Sequence, residues 1–172
     1  MVTVIRDSWV LLTGFMLLML GNGLQGTLLG VRGGLEGMTP GALAYVMSAF
    51  FLGLLIGART TPLMIRRVGH VRVFAGLASL ISAAFILYGA LPVAWAWVLM
   101  RLLAGFCFSG IYVVVESWLN DRATNETRGQ ALSVYMIVQM IGVIAGQGLL
   151  NMADPGDYTL FVVMSVLVSV AL

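Results

Sequence analysis

The sequence predicts an all-α membrane protein with six transmembrane helices. Hydrophobic residues make up 60% of the 172 residues, and charged residues make up only 9%, whereas an ordinary soluble domain has roughly 25% charged residues. A soluble fold of this length cannot bury so much apolar surface, so we expect lipid to surround the helices. The charges also fall in clusters, and the apolar stretches between them are about as long as the ~20 residues that a transmembrane helix needs.

Six spans are predicted when the charged residues and Pro92 are taken as boundaries. They cover residues 8–31, 37–58, 73–91, 93–118, 129–153 and 158–172. Pro92 divides the long apolar stretch after Arg72, because proline ends one helix and can begin the next. The sixth span has about 15 residues, fewer than the ~20 that cross a bilayer. We therefore expect this helix to be truncated and the chain to be a fragment.

Aromatic residues surround the boundary between the third and fourth spans. Tyr88, Trp95 and Trp97 cluster around Pro92, and such clusters are typical of the aromatic belt between lipid and water.

The first span could be a signal peptide, with Arg6 in its basic region, rather than a transmembrane helix. Its apolar run is longer than the about 7–15 residues of a signal peptide, and no small-x-small cleavage site follows it, so we favour an uncleaved helix.

The arginines predict the orientation of the chain, which has no lysine. The arginines assigned to one side of the membrane are Arg6, Arg59, Arg66, Arg67, Arg72, Arg122 and Arg128. The other side has only Arg32, together with Glu36, Asp154 and Asp157. By the positive-inside rule, the N-terminus and the two arginine-rich connections are predicted to be cytoplasmic.

A weak internal repeat relates the second and fifth spans. The segments 42–57 and 131–146, which are 89 residues apart, share five identical positions, including Gly53 with Gly142 and Gly57 with Gly146. Because the two spans run in opposite directions through the membrane, this pattern indicates an inverted repeat of three plus three helices, as carriers use.

Glycines are predicted to form helix contacts in the spans. Glycines four residues apart leave a flat strip where a second helix can approach closely. The glycines assigned to such contacts are Gly26, Gly30, Gly53, Gly57, Gly105, Gly142 and Gly146. The sequence leaves two interpretations open, which are static packing and surfaces that let helices slide during a transport cycle.

Polar residues of the fourth span form one stripe. Arg101, Gly105, Ser109, Tyr112 and Glu116 fall within an arc of about 80° at 100° per residue. A charge at the centre of a bilayer is costly, at least ~2.5–3.5 kcal/mol, so we expect this stripe to face the bundle interior or a wet cavity.

In order along the chain, these features resemble the N-terminal half of a major facilitator superfamily (MFS) carrier, and within it the YcaD-type bacterial members. The resemblance is carried by Arg101, Gly105 and Cys107, by the basic turn after the second span, and by the segments YVVVES and TRGQALSVYM. It implies a multi-pass protein of the bacterial inner membrane that moves a small polar solute by alternating access. It also implies a partner, the missing C-terminal six-helix half.

The resemblance further implies a cytoplasmic gate. The family pattern between the second and third spans is G-x-x-x-D-R/K-x-G-R-R/K, and here Arg66 stands in place of the acid. An interaction that holds the cytoplasmic side closed then needs another acid, and Glu116 is the candidate. The residues assigned to the gate are Arg66, Arg67, Gly69, Glu116 and Arg128.

Few polar side chains are available to meet a solute. The candidates for the substrate cavity are Asn22, Gln25, Arg101, Tyr112, Gln139 and Gln147. The first and fourth spans line the cavity in the family, which favours Asn22, Gln25 and Arg101. Helix–helix hydrogen bonds are an equal alternative for Asn22 and Gln25. The first, second, third and fifth spans hold no acid, and Gly146-Gln147 replaces the G-P of drug–proton antiporters, so neither proton coupling nor drug efflux is supported.

Other classes of function have weaker support. An intramembrane enzyme needs a nucleophile, an acid–base pair or a metal set. His70 lies in a turn and Cys107 has no base near it in sequence. We therefore predict no catalytic or metal site, no cofactor and no nucleic-acid partner. A small six-span scaffold, or a pore subunit that acts as a homo-oligomer, remains the alternative to a carrier.

Overall fold

Residues 2–171 form six α-helices and no strand, which confirms the all-α fold class. The structure is a computed structural model that describes the backbone of these residues and the side chains of residues 9–171. The helices are α1 (Val2–Leu35), α2 (Pro40–Val68), α3 (His70–Ala90), α4 (Ala94–Arg122), α5 (Arg128–Gly148) and α6 (Thr159–Val170). A short 3-10 helix, Leu149–Met152, follows α5. Arg6 lies outside the residues whose side chains are described.

Several helices continue beyond the apolar spans that the charges delimit. The helix α2 has 29 residues, or about 43 Å at 1.5 Å per residue, whereas the hydrocarbon core of a bilayer is ~30 Å thick. The helix includes residues 59–68, which lie beyond the predicted span, and Pro62 lies inside it. A helix need not end where its apolar stretch ends, because charged side chains of its last turns can reach water.

The connections between helices are short. Gly69 alone separates α2 from α3 and has a φ of +83°, a conformation that only glycine adopts readily. The segment predicted as a basic loop is thus a helix–glycine–helix turn. Thr39 caps α2, because its hydroxyl accepts a hydrogen bond of 3.2 Å from the backbone N–H of Ala42. Pro92 lies between α3 and α4.

Five of the helices are long and apolar enough to cross a membrane, and α6 is a shorter apolar helix of 12 residues. The core contains large side chains that are fully buried, among them Phe15, Phe85, Trp97, Phe108 and Phe161. By contrast, α2 and α5 expose apolar faces to the surroundings of the bundle. This distribution is that of a membrane protein, in which lipid or another apolar surface covers the outside.

The helix α2 packs closely against α4 through two glycines. A Cβ atom at Gly53 would fall on the carbonyl oxygen of Leu102, and one at Gly57 would fall on that of Phe106. The two backbones therefore touch at successive turns, which no larger residue would allow.

The helix α5 packs against α1 in the same manner. A Cβ atom at Gly142 would lie 3.1 Å from the carbonyl oxygen of Met16, and one at Gly146 would fall on that of Leu20. Both glycines lie 89 positions after their counterparts on α2, and both carbonyls lie 86 positions before theirs on α4. The contact of α2 with α4 is thus repeated by the contact of α5 with α1, as expected for an inverted repeat in which α1 corresponds to α4 and α2 to α5.

The remaining glycines assigned to helix contacts behave differently from one another. A Cβ atom at Gly105 would fall on the backbone of Phe50, whereas one at Gly30 would meet only Met47, at 3.9 Å. Gly26 is exposed and has no neighbouring atom within 4 Å of such a Cβ position. The helix contact that we assigned to Gly26 is therefore wrong within this bundle, because this residue lies on an exposed part of α1. Gly23 makes the close contact on α1 instead.

Candidate functional site

The polar stripe of α4 divides into a buried part and an open part. Arg101, Gly105 and Ser109 are buried, Tyr112 is half-buried and Glu116 is exposed. The buried part packs against α2 through Gly105. The stripe therefore faces the bundle interior along its first two turns and opens only near its C-terminal end.

Arg101 lies inside the bundle without a carboxylate partner. Only 7% of the residue is exposed, and among the described residues no acidic group lies within 4.0 Å of its guanidinium. Its Nη2 is 3.6 Å from Sδ of Met47, and its Cζ lies 4.5 Å from the centre of the Phe50 ring. A sulfur atom and an aromatic face are weak partners for a cation, and Nε has no hydrogen-bond partner in the described part of the chain.

Tyr88 links the first helix to the part of α4 that carries Arg101. The Nε2 of Gln25 donates a hydrogen bond of 3.0 Å to the Tyr88 hydroxyl, and the Tyr88 ring meets that of Trp97, one turn before Arg101 on α4, at 5.9 Å. Gln25 is completely buried, and its Oε1 has no hydrogen-bond partner. We refer to Gln25, Met47, Phe50, Tyr88 and Arg101 as the Arg101 cluster.

Tyr88 and Trp97 do not belong to an aromatic belt, contrary to our expectation. Both are completely buried, whereas 68% of Trp95 is exposed. The indole Nε1 of Trp97 donates a hydrogen bond of 3.0 Å to the backbone carbonyl of Tyr88, and the two rings meet edge to face at 5.9 Å. These interactions turn both side chains into the bundle across the turn at Pro92, where they fix the position of the Tyr88 hydroxyl.

A second polar group lies further along α1 and α4. The Nδ2 of Asn22 donates a hydrogen bond of 3.2 Å to the Tyr112 hydroxyl. Phe15 contacts both the Tyr112 ring, at 6.1 Å, and the Tyr135 ring, at 4.9 Å. Tyr135 in turn is an electrostatic neighbour of Glu116. This group links α1, α4 and α5 near the open part of the stripe, and sequence spacing alone gave no signal for Phe15 or Tyr135.

The two glutamines of α5 stand apart from both groups. Gln139 is half-buried and Gln147 is exposed. Within residues 9–171, no hydrogen bond joins either side chain to Arg101, Tyr88 or Asn22. The structure therefore brings together Gln25 with Arg101 through Tyr88, and Asn22 with Tyr112, but it does not add Gln139 or Gln147 to them.

The residues assigned to the gate lie at the arginine-rich end, which we define as the end formed by the C-termini of α2 and α4 and the N-termini of α3 and α5. Arg66, Arg67 and Arg128 are exposed there. No ion pair joins Glu116 to Arg66 or Arg67 in the described part of the chain. The carboxylate lies instead beside Tyr135.

Another contact joins α3 to α4 at the arginine-rich end. The Nε2 of His70 is 2.9 Å from the Ser117 hydroxyl and 3.8 Å from Oδ2 of Asp121. Sequence reasoning placed His70 in a turn and missed this contact, because its partners lie in the last two turns of α4, 47 or more residues away along the chain. Within residues 9–171, no group of three His, Cys, Asp or Glu side chains could hold a metal ion.

Comparison with known proteins gives the family of the chain. The family model described as Major Facilitator Superfamily matches residues 11–172. The chain is also 32% identical over 151 residues to the protein named "Uncharacterized MFS-type transporter YcaD" from Escherichia coli O45:K1 (strain S88 / ExPEC), and equally to those from the strains O81 (ED1a) and O139:H28 (E24377A / ETEC). Each alignment covers 88% of this chain and 40% of the relative.

No solved structure matches the chain. The chain spans about 40% of the length of the curated relatives it matches, and these relatives are named as transporters rather than enzymes. The six-helix fold, the repeated glycine contacts and the family match agree with one another. The chain belongs to the Major Facilitator Superfamily.

Proposed function

We propose that this chain is the N-terminal half of a secondary transporter that moves a small polar solute with a negative charge by alternating access. The observation that carries the proposal is the burial of Arg101 in α4 without an acidic partner among the residues whose side chains are described. A cation in this position normally pairs with another group, since a charge inside the membrane is costly and usually functional. A solute anion supplies that group.

The second part of the carrier is a C-terminal six-helix half. This proposal is supported by the relatives, since the chain matches 40% of their length, and by the apolar faces that α2 and α5 expose. In carriers built from repeats, the solute site lies between the repeats near the middle of the membrane, and the halves rock around it. We call the protein that contains both halves the full-length carrier. The transporter relatives favour it over a homo-oligomeric scaffold or pore subunit.

The direct test of the proposal is uptake of small organic anions by proteoliposomes that contain the full-length carrier. Uptake that depends on Arg101 supports it. Uptake that is unchanged without the arginine refutes the role of Arg101.

We also propose that the arginine-rich end lies on the cytoplasmic side of a bacterial inner membrane. The support for this orientation is the distribution of arginines. Of the seven arginines assigned to this side, the six whose side chains are described lie at or near that end. Cysteines introduced at Gly34 and at Ala123 should therefore react with an impermeant maleimide from opposite sides, Gly34 from the periplasm. The native Cys107 is completely buried and gives little background. Labelling of both positions from one side contradicts this topology.

The gate assigned to Arg66, Arg67, Gly69, Glu116 and Arg128 is also a proposal. The position of Glu116 beside Tyr135 favours a role in holding α4 to α5 over a pair with the arginines of α2. Gly69 gives the turn that places those arginines at the end of the bundle.

A pair of mutant cycles separates these two roles of Glu116. Combining Glu116→Gln with Tyr135→Phe should give a coupling of about 0.5–1 kcal/mol in the free energy of unfolding, since the phenylalanine removes only the hydroxyl. The matched cycle with Arg67→Gln should be additive within about 0.3–0.5 kcal/mol. Coupling to Arg67 and none to Tyr135 restores the pair with the α2 arginines.

A further inference from the structure

The Arg101 cluster contains two unpaired polar atoms of opposite character. Nε of Arg101 is a hydrogen-bond donor without an acceptor, and Oε1 of Gln25 is an acceptor without a donor. Both residues are more than nine-tenths buried, with exposures of 7% and 0%. Most buried polar atoms in proteins have partners, so two orphans in one cluster require an explanation.

Both orphans lie near Tyr88. The Gln25 amide is bonded to the Tyr88 hydroxyl at 3.0 Å, so its carbonyl oxygen lies within a few ångströms of the same hydroxyl. Arg101 lies one turn along α4 from Trp97, whose ring meets the Tyr88 ring at 5.9 Å. A single small molecule can therefore span the two orphans. Because the two atoms differ in character, the molecule that satisfies both must present an acceptor and a donor.

We propose that the Arg101 cluster recognises a small organic anion that carries a hydrogen-bond donor beside its charged group, such as a 2-hydroxy or 2-amino carboxylate. The carboxylate accepts hydrogen bonds from the Arg101 guanidinium, whose planar donors match its geometry. The adjacent O–H or N–H donates to Oε1 of Gln25. This inference rests on the proposed function and adds the substrate class to it.

Each simpler ligand leaves one part of the cluster unsatisfied. An inorganic anion or a plain carboxylate neutralises Arg101 but leaves Oε1 of Gln25 unpaired. A neutral polyol satisfies Gln25 but leaves the arginine without a counter-charge. A site that hydrogen-bonds a substrate hydroxyl rejects analogues that lack it, because its own buried group then loses its partner.

Met47 provides a way for the solute to enter. Its sulfur covers the Arg101 guanidinium at 3.6 Å, and its methyl group approaches the position of a Cβ at Gly30 on α1 to 3.9 Å. Methionine is unbranched and flexible, so its side chain can move aside without a shift of either helix. The weak sulfur contact is then exchanged for the carboxylate of the solute.

The test compares matched pairs of anions that differ only in the donor. The thermal stability of the full-length carrier is titrated with L-lactate against propionate and with glycolate against acetate, at constant ionic strength and with sodium chloride as the reference salt. The hydroxy acid of each pair should bind at least about tenfold more tightly than its partner. In Gln25→Leu this preference should fall to within about twofold, while the affinity for propionate changes little.

A further variant guards against a fold defect in Gln25→Leu. Thr27→Val is the matched control on α1, because the hydrogen bonds described for the Thr27 hydroxyl go to the backbone carbonyls of Gly23 and Leu24. The preference for lactate should persist in this variant.

The outcomes separate this inference from the proposed function. Equal binding within each pair overturns the inference and leaves an anion carrier, provided that binding requires Arg101. A preference that survives in Gln25→Leu overturns the role of Gln25. If none of the four anions stabilises the protein more than sodium chloride does, the inference fails. Anion uptake independent of Arg101 is the separate result that refutes the proposed role of the arginine.

Discussion

Replacing Arg101 by alanine should lower anion uptake by the full-length carrier about 100-fold per folded molecule. The guanidinium is buried, and within residues 9–171 its close partners are only a sulfur atom and a phenyl ring. A bound anion therefore depends on it for its counter-charge. Removing one member of a buried charge pair costs about 2–5 kcal/mol, and each ~1.4 kcal/mol is a factor of ten in affinity. Initial rates at low solute concentration, normalised to the amount of folded protein, measure the effect.

Lysine at position 101 should restore little of the lost uptake. An ammonium group keeps the charge but loses the planar set of donors that binds a carboxylate through two bonds, and it gives up the stacking of the guanidinium on the Phe50 ring. If lysine restores most of the uptake, Arg101 acts as a simple counter-charge instead.

Arg122 is the matched control for this experiment. It lies on the same helix and its guanidinium also stacks on an aromatic ring, that of Trp118, at 3.9 Å. Arg122 is exposed at the arginine-rich end, so Arg122→Ala should leave uptake within about twofold of the wild type, as expected for exposed charges. Normal uptake by folded Arg101→Ala, with only its yield reduced, would show that the arginine has a structural role alone.

The fold could be predicted from the sequence because membrane insertion imposes a simple pattern. Long apolar stretches must be helical in lipid, since their backbone groups have no other partners there. The same pattern could not give the helix ends, because α2 runs through Arg59, Pro62 and Arg67 to Val68. Charged residues mark where the lipid ends, whereas the helix ends at Gly69, whose conformation breaks it.

The candidate site was predictable only where a residue is unusual in its own segment. Arg101 stands out as a cation in an apolar helix, and Gln25 as a polar residue in another. Their connection through Tyr88 could not be foreseen, because Gln25 and Tyr88 are 63 residues apart and an aromatic residue near the end of a span suits the lipid boundary equally well. Met47 and Phe50 are ordinary apolar residues that acquire a role only because α2 packs on α4.

Gly53→Ala should destabilise the protein by about 1–3 kcal/mol, the range for an added methylene group in a well-packed interior. A Cβ atom at this position would fall on the Leu102 carbonyl oxygen and lie 2.7 Å from the backbone nitrogen of Phe106. Backbone atoms cannot rotate away as a side chain can, so α2 and α4 must separate and lose the contacts on either side. A Cβ atom at Gly146 on α5 would likewise fall on the backbone carbonyl oxygen of Leu20 on α1, so Gly146→Ala should have a similar effect.

Gly26→Ala is the matched control, since it makes the same change on an exposed helix face. No atom lies within 4 Å of the added methyl group, and alanine is favoured over glycine inside a helix by about 0.8–1 kcal/mol. The two substitutions should therefore change the free energy of unfolding in opposite directions, which reversible unfolding of the full-length carrier in mixed micelles can measure. Equal destabilisation by both would show that loss of glycine flexibility, rather than contact between the helix backbones, controls stability. A stabilising effect of Gly53→Ala would mean that α2 and α4 can separate at little cost, as helices that slide past each other during transport must.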